Sequence, residues 1–144
     1  DDSYCVVYTY YLSAATVLDG FHITFGYNAS GSGAGMYNEG GAPTFSNLIF
    51  SNNFASYGGG MYNYYTSPTL NNVAFFGNTA SYGGGMYNYY VSNPILTNVS
   101  FTSNYASVNG GGILNNYYCY YYSSGYYYPA RRHYKKKRYV RYRY

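Results

Sequence analysis

Apolar residues recur two positions apart in short blocks along the chain, and polar residues separate these blocks. Side chains of a β-strand alternate between its two faces, so both members of such a pair face the same side. No stretch repeats apolar residues at i, i+3, i+4 and i+7, the spacing of an amphipathic helix. The pattern therefore predicts strands with one buried face. The pairs are Leu48 and Phe50, Val73 and Phe75, and Val99 and Phe101.

The blocks belong to a sequence repeat with a nearly constant period. The block from Gly33 to Asn38 recurs from Gly58, Gly83 and Gly110, at spacings of 25, 25 and 27 residues. Such a period is typical of solenoids, and it has room for three short strands and three turns but not for a propeller blade of about 40 residues. A leucine-rich repeat, the rival solenoid, requires a Leu-x-x-Leu-x-Leu spacing that is absent from the sequence.

The repeat predicts an all-β fold, a parallel β-helix solenoid of about four rungs of about 25 residues each. Residues 15–116 form the solenoid. An N-terminal arm, residues 1–14, precedes it, and a Tyr-rich and basic C-terminal extension, residues 117–144, follows it.

Stacking the rungs places equivalent apolar residues in inward columns. One rung cannot bury its own apolar face, whereas stacked rungs share a continuous core. An earlier, degenerate copy extends the columns, because Phe21 and Ile23 stand where Leu48 and Phe50 stand in the next copy. The predicted columns are Met36, Met61, Met86 and Ile113; Leu48, Val73 and Val99; Phe50, Phe75 and Phe101; and Phe45, Leu70 and Leu96.

Asparagine recurs at two further positions of each rung. One column contains Asn47, Asn72 and Asn98, between inward positions, and the other contains Asn53, Asn78 and Asn104, after the last strand of each unit. Either column is a candidate amide ladder, in which each side chain bonds its copy one rung away at about 4.8 Å.

Composition and charge change this picture mainly at the carboxyl end. The chain has 144 residues, of which 27 are Tyr, and charged residues make up only 8%. All eight Lys and Arg lie between Arg131 and Arg143. This basic tail either keeps the body soluble or contacts an acidic polymer. No run of about 18 apolar residues predicts a membrane span, and no leader segment is recognisable, so the chain reads as a mature or excised piece.

The glycine blocks also resemble those of a known family. The blocks that start at Gly58, Gly83 and Gly110, paired with Phe50-Ser-Asn-Asn53, Phe75-Phe-Gly-Asn78 and Phe101-Thr-Ser-Asn104, are similar to the repeats of bacterial right-handed parallel β-helix proteins of the pectin-lyase-like superfamily, particularly the polymorphic outer-membrane protein type. The resemblance covers roughly residues 15–116. It implies a right-handed solenoid in a secreted or surface-displayed protein, many such proteins being adhesins or autotransporter passengers, and it implies no reaction.

Candidate catalytic residues are scarce in the repeats. Hydrolysis of a polysaccharide requires paired carboxylates, yet the repeats contain only Asp19 and Glu39, in different copies and at different rung positions. A lyase would need calcium-binding acids and a basic proton abstractor, and no Lys or Arg precedes Arg131. His22 is predicted to point outward and His133 lies in the tail, so no metal ligand set forms. The sequence predicts no enzyme, no cofactor and no metal.

Two cysteines and two glycosylation motifs are candidate modification sites. Cys5 precedes the repeats and Cys119 follows them, near opposite ends of the stack. Two free thiols are one interpretation, and a disulfide between Cys119 of one copy and Cys5 of the next, in an oxidising exterior, is the other. Asn28 and Asn98 match the Asn-x-Ser pattern of N-glycosylation, although Asn98 also has a place in an amide ladder.

The ends of the predicted solenoid bear on its function. A parallel β-helix exposes unpaired backbone groups at each end, and neither end here has the sequence of a capping helix. A head-to-tail contact that does not close into a ring generates a filament. We therefore expect a non-enzymatic extracellular or cell-surface structural protein whose partner is itself. The alternative is a monomeric surface adhesin or carbohydrate-binding fragment whose partners are glycans.

Overall fold

The fold was analysed in a computed structural model that describes residues 4–116, 120–123 and 126–129. Its strands stack as a parallel β-solenoid of about four turns, in which each strand pairs with its copy one turn away. The predicted parallel β-helix is therefore confirmed. None of the described residues is helical, in agreement with the two-residue periodicity of the sequence.

Each turn contributes strands to three sheets, here called faces A, B and C. The strands are β1 (Val7–Leu12), β2 (Val17–Asp19), β3 (His22–Thr24), β4 (Tyr27–Ser32), β5 (Met36–Gly41), β6 (Thr44–Ser46), β7 (Ile49–Ser51), β8 (Phe54–Tyr57), β9 (Met61–Tyr64), β10 (Thr69–Phe76), β11 (Thr79–Tyr82), β12 (Met86–Tyr89), β13 (Ile95–Thr102), β14 (Tyr105–Asn109), β15 (Ile113–Asn116), β16 (Tyr120–Ser123) and β17 (Tyr126–Pro129). Face A contains β1, β5, β9, β12 and β15; face B contains β2, β3, β6, β7, β10 and β13; face C contains β4, β8, β11 and β14. Strands β16 and β17 form an antiparallel hairpin.

Consecutive turns stay in register along the stack. On face A, Met36 pairs with Met61, Met61 with Met86, and Met86 with Ile113. Strand β1 belongs to the same sheet, because Val7 pairs with Met36. The stack thus begins within the segment that the sequence assigned to an N-terminal arm.

The core consists of side-chain columns parallel to the solenoid axis. The rings of Phe50, Phe75 and Phe101 stack face to face, with centroid distances of 4.8 and 4.7 Å. Interior members of every column are buried, whereas three of the four members in the last turn are half-buried. The fully buried members are Met36, Met61, Met86, Phe45, Leu48, Phe50, Leu70, Val73 and Phe75, and the half-buried ones are Val99, Phe101 and Ile113.

Two residues predicted to face the core are exposed instead, one at each end of the stack. Phe21 is 56% exposed, whereas Leu48, its equivalent one turn later, is 1% exposed. Leu96 is 39% exposed, whereas Leu70, one turn earlier, is 0% exposed. A side chain in a terminal turn has a neighbouring turn on one side only, so the same position buries less surface. The prediction of burial was wrong for Phe21 and Leu96 for this reason.

The turn between faces C and A requires glycine for two separate reasons. Gly58 has a φ of +62°, in the left-handed region that other residues rarely adopt. A Cβ on Gly60 would lie 2.6 Å from the carbonyl oxygen of Gly85, so glycine also lets successive turns approach closely. The tight turn brings the flanking tyrosines, Tyr57 and Tyr62, to neighbouring positions on the outer surface.

Candidate functional site

A buried amide ladder lies at the corner between faces B and C. The Nδ2 of Asn53 donates to the Oδ1 of Asn78 at 2.9 Å, and the Nδ2 of Asn78 donates to the Oδ1 of Asn104 at 2.9 Å. The same amides satisfy the backbone, because Asn78 also donates to the Phe50 carbonyl at 2.8 Å and accepts the Asn53 backbone N–H at 3.1 Å. Buried polar groups are stabilised by such pairing, so this ladder holds successive turns in register.

A second ladder, on face A, was not predicted from the sequence. It contains Asn38, Asn63, Asn88 and Asn115, and each Nδ2 donates to the Oδ1 of the next, at 3.1, 2.7 and 2.7 Å. The first three asparagines are buried, and Asn115, in the last turn, is exposed. At the amino end of the ladder, the hydroxyl of Thr9 donates to the Oδ1 of Asn38. The sequence does contain a pattern that predicts this ladder. Each of these asparagines lies two residues after an inward apolar residue, so its side chain points to the same face of the strand.

A third ladder follows the outer surface of face B. Asn47, Asn72 and Asn98 have φ values of 53°, 54° and 51°, a conformation that Asn tolerates better than most residues. Asn72 donates to Asn47 at 3.2 Å and Asn98 donates to Asn72 at 2.6 Å, while Asn47 donates to the Asp19 carboxylate at 2.6 Å. Both asparagine columns noted in the sequence therefore form ladders, one buried and one exposed.

The two glycosylation motifs differ in accessibility. Asn28 is buried and its Nδ2 donates to the Ser32 carbonyl at 3.3 Å, so a glycan on this nitrogen would require a packed side chain to move out. This packing disfavours a glycan at Asn28, and glycosylation there stays a prediction. Asn98 is exposed and its Nδ2 donates to Asn72, so glycosylation there stays a prediction.

Apolar side chains are exposed at both ends of the stack. The first turn exposes Val17, Phe21 and Phe25, and the last turn exposes Ile95, Leu96 and Val108. Contiguous apolar surface on a soluble protein marks a contact site more often than a free surface. The two end turns are therefore one candidate site.

A groove of about 600 Å³ runs along the outside of the solenoid beside the glycine turns. One wall consists of Tyr57 and Tyr82, whose rings stack at 5.3 Å. Tyr62 and Tyr87 form the floor, since they are only 8% and 4% exposed, and their rings stack at 5.5 Å. Tyr89 lies beside the floor, with its ring centroid 6.0 Å from that of Tyr87. These five residues are called the tyrosine groove below.

Burial changes the acidity of the face A tyrosines. Burial, followed by the negative charge of Glu39, raises the pKa of Tyr37 to about 12. Burial also raises the pKa of Tyr62, and the neighbouring phenols of Tyr37 and Tyr87 add to the effect. These phenols therefore stay neutral in the folded chain at pH values at which they ionise in the unfolded chain.

We expect alkaline pH to destabilise the fold through these tyrosines. The pKa of an unfolded Tyr is about 10. Stability is fully present below that value and falls as pH rises from about 10 toward 12, because only the unfolded chain releases these protons. The melting temperature should fall by about 4 °C or more across this window. Melting curves followed by circular dichroism measure it, and Tyr62→Phe should show a smaller fall. An equal fall in that variant would contradict the assignment to Tyr62.

The other predicted site residues lie apart from these features. Cys5 is a half-buried free thiol in the first turn, and burial raises the pKa of this thiol. Cys119 and the basic tail lie outside the described residues, so the disulfide between Cys5 and Cys119 stays a prediction. His22 is exposed, and its Nε2 lies 2.8 Å from the Ser51 hydroxyl.

Among the residues that the structure describes, no three His, Cys, Asp or Glu side chains are grouped as the ligands of a metal ion would be. The same residues contain no helix that is long and apolar enough to span a membrane.

Comparisons of the chain with protein-family models, with curated proteins and with solved structures found no match.

Proposed function

We propose that this chain is a non-enzymatic structural protein that polymerises by head-to-tail stacking of its solenoid, outside the cell or at the cell surface. The exposure of core positions at both ends carries the proposal. Val7 and Ile113, the first and last members of one inward column on face A, are only half-buried. At every interior position another turn covers such a side chain, and burying apolar surface stabilises a contact by about 25 cal/mol per Å².

The apolar columns of the two ends complement each other when the register continues into a second copy. Val7 belongs to the face A column that ends at Ile113, so Val7 of the next copy would cover Ile113. Tyr8 belongs to the column that ends at Leu114, and it would cover Leu114 in the same way. The contact is heterologous, since it joins two different surfaces, and repeating it yields a filament rather than a closed dimer.

The polar groups of the two ends are complementary as well. Along face A each ladder amide donates toward the next turn, so the Nδ2 of Asn115 has the position of a donor to a following turn. In a head-to-tail contact its acceptor would be the Thr9 hydroxyl of the next copy, which itself donates to Asn38. The ladder would thus continue from one copy to the next, and the edges of β15 and β1 would pair as parallel strands.

Two parts of the proposal, the lack of catalysis and the location outside the cell, are supported by the acidic residues and by the resemblance of the glycine blocks. Asp19 lies on face B, where it accepts a hydrogen bond from Asn47, and Glu39 lies on face A, where it accepts one from Tyr8. Two separated and hydrogen-bonded carboxylates support a role without catalysis. The placement outside the cell is supported by the resemblance of the glycine blocks to those of surface-displayed β-helix proteins of the polymorphic outer-membrane protein type.

Gly112→Ala tests the proposal because it separates assembly from folding. A Cβ on Gly112 would meet Phe101 at 3.4 Å, whereas a Cβ on Gly85, one turn earlier, would lie 2.6 Å from the Gly112 carbonyl oxygen. In a stacked contact Gly112 acquires an equivalent neighbour, the Val6 carbonyl of the next copy. We expect Gly112→Ala to melt like the wild type when dilute, and to raise the concentration needed for assembly by about tenfold or more.

Sedimentation velocity over a concentration series, with negative-stain electron microscopy of concentrated samples, measures assembly. The wild type should form filaments about one solenoid wide, and the matched control Gly85→Ala should lower the melting temperature of the dilute chain. A wild type that stays monomeric at every concentration would contradict the proposal, as would a Gly112→Ala chain that assembles normally. Loss of the filaments on adding reductant would support the disulfide between Cys5 and Cys119.

A further inference from the structure

The tyrosine groove repeats the same chemistry from one turn to the next. Its wall rings, Tyr57 and Tyr82, are 5.3 Å apart, and its floor rings, Tyr62 and Tyr87, are 5.5 Å apart. The groove runs parallel to the solenoid axis. Its five tyrosines lie on interior turns, whereas Asn116, at the carboxyl end of the groove, belongs to β15, the strand at the proposed stacking contact. A ligand that repeats along its own axis, namely a linear polymer, would find equivalent contacts at each step.

Polar groups accompany the aromatic rings of the groove. The Nδ2 of Asn116 donates to the Tyr87 hydroxyl at 2.7 Å. In the column of wall residues, Ser32 precedes Tyr57 and Asn109 follows Tyr82. The wall rings stack on each other, so they present edges and hydroxyls to the groove. Ring edges give apolar contact to the C–H groups of a sugar, while hydroxyl and amide groups at fixed positions bond sugar hydroxyls and set their orientation.

The distribution of charged residues favours a neutral polymer over an acidic one in this groove. All eight Lys and Arg lie at positions 131–143, so the described residues supply no cation to pair with a carboxylate, sulfate or phosphate. Burial raises the pKa of Tyr62, which keeps this floor phenol uncharged at neutral pH. An anionic polymer would lose hydration in this groove without gaining an ion pair.

We infer that the tyrosine groove binds a linear neutral polysaccharide, which lies along the solenoid axis against the edges and hydroxyls of the wall tyrosines. The inference does not require the proposed polymerisation, because the five tyrosines of the groove lie on interior turns. The chain would then have two different binding sites: an uncharged groove on the solenoid, and a cationic tail that would attract acidic polymers.

Affinity electrophoresis of the full chain in native gels tests the inference below the assembly concentration. Glucomannan and hydroxyethyl cellulose serve as neutral probes, and polygalacturonate serves as the acidic probe. Tyr82→Ala removes a wall ring and should weaken retention by the neutral polymers about tenfold or more. The matched control Tyr65→Ala removes a 54% exposed ring outside the groove and should leave retention unchanged. Tyr82→Phe, which keeps the ring, should stay within about threefold of the wild type.

Salt dependence distinguishes the groove from the basic tail. Retention by the neutral polymers should persist at high salt, because contact with an uncharged polymer involves no ion pair. Absence of retention on both neutral probes would overturn the inference. Retention that is confined to polygalacturonate, lost at high salt and insensitive to Tyr82→Ala would overturn it too and assign binding to the tail. Circular dichroism establishes that Tyr82→Ala is folded, and Tyr57→Ala, on the same wall, takes its place if it is not.

Discussion

Asn78→Ala is expected to lower the free energy of unfolding by more than about 4 kcal/mol. The side chain makes four hydrogen bonds at a fully buried site, and its removal leaves the Asn53 backbone N–H, the Asn53 amide and the Phe50 carbonyl each without a bond they now make. Each buried polar group left unpaired costs about 1–3 kcal/mol. A domain has about 5–15 kcal/mol of stability in all, so the variant retains little. Guanidinium titration of dilute protein, followed by far-UV circular dichroism, measures the loss.

Asn71→Ala is the matched control for this prediction. Asn71 lies in β10, in the same turn, and its half-buried side chain is on the outer surface. Its replacement should change the free energy of unfolding by no more than about 0.5 kcal/mol. Equal effects of the two substitutions would contradict a stabilising role of the buried ladder, since the Asn78 amide is buried and belongs to the ladder whereas the Asn71 amide lies outside it.

Alternation and period were sufficient to place the interior of the fold. Met61 and Leu70 are buried because a parallel stack puts equivalent residues directly above one another, and the repeat defines which residues are equivalent. The same reasoning failed for Phe21 and Leu96, which carry the same pattern in the end turns. Burial depends on how many neighbouring turns cover a residue. The sequence of one repeat shows which side chains point inward, but it does not show whether another turn lies above or below them.

The ladders and the groove depend on geometry that the sequence pattern does not contain. Alternation within a strand could have placed Asn63 inside, because Asn63 lies two residues after the buried Met61. An asparagine among other polar residues, however, gives no reason of its own to expect burial. The alternation of inward and outward side chains cannot be continued across the glycine turn between Tyr57 and Tyr62. The chain changes direction there, and Gly58 takes a left-handed conformation. The convergence of these two columns into a groove could therefore be seen only in three dimensions.

Phe75→Ala is expected to lower the free energy of unfolding by about 3–5 kcal/mol, and Phe101→Ala by roughly half as much. Phe75 lies between two rings, at 4.8 Å from Phe50 and 4.7 Å from Phe101, and is fully buried. Hydrogen bonds hold adjacent turns about 4.8 Å apart, so the structure cannot close around the missing ring. Phe101 stacks on one side and is half-buried, so its removal creates a smaller cavity. Guanidinium titration of the two variants below the assembly concentration measures the difference.

The open carboxyl end also connects the fold with the proposed filament. In a stacked contact Val7 of the next copy would cover Ile113, so Ile113→Ala removes contacts that the dilute chain does not make. It should raise the concentration needed for assembly by more than its modest effect on folding accounts for. Equal losses of stability in dilute Phe75→Ala and Phe101→Ala would contradict an open carboxyl end. Phe101 would then already be covered by its own chain, and no apolar face would remain there for a second copy.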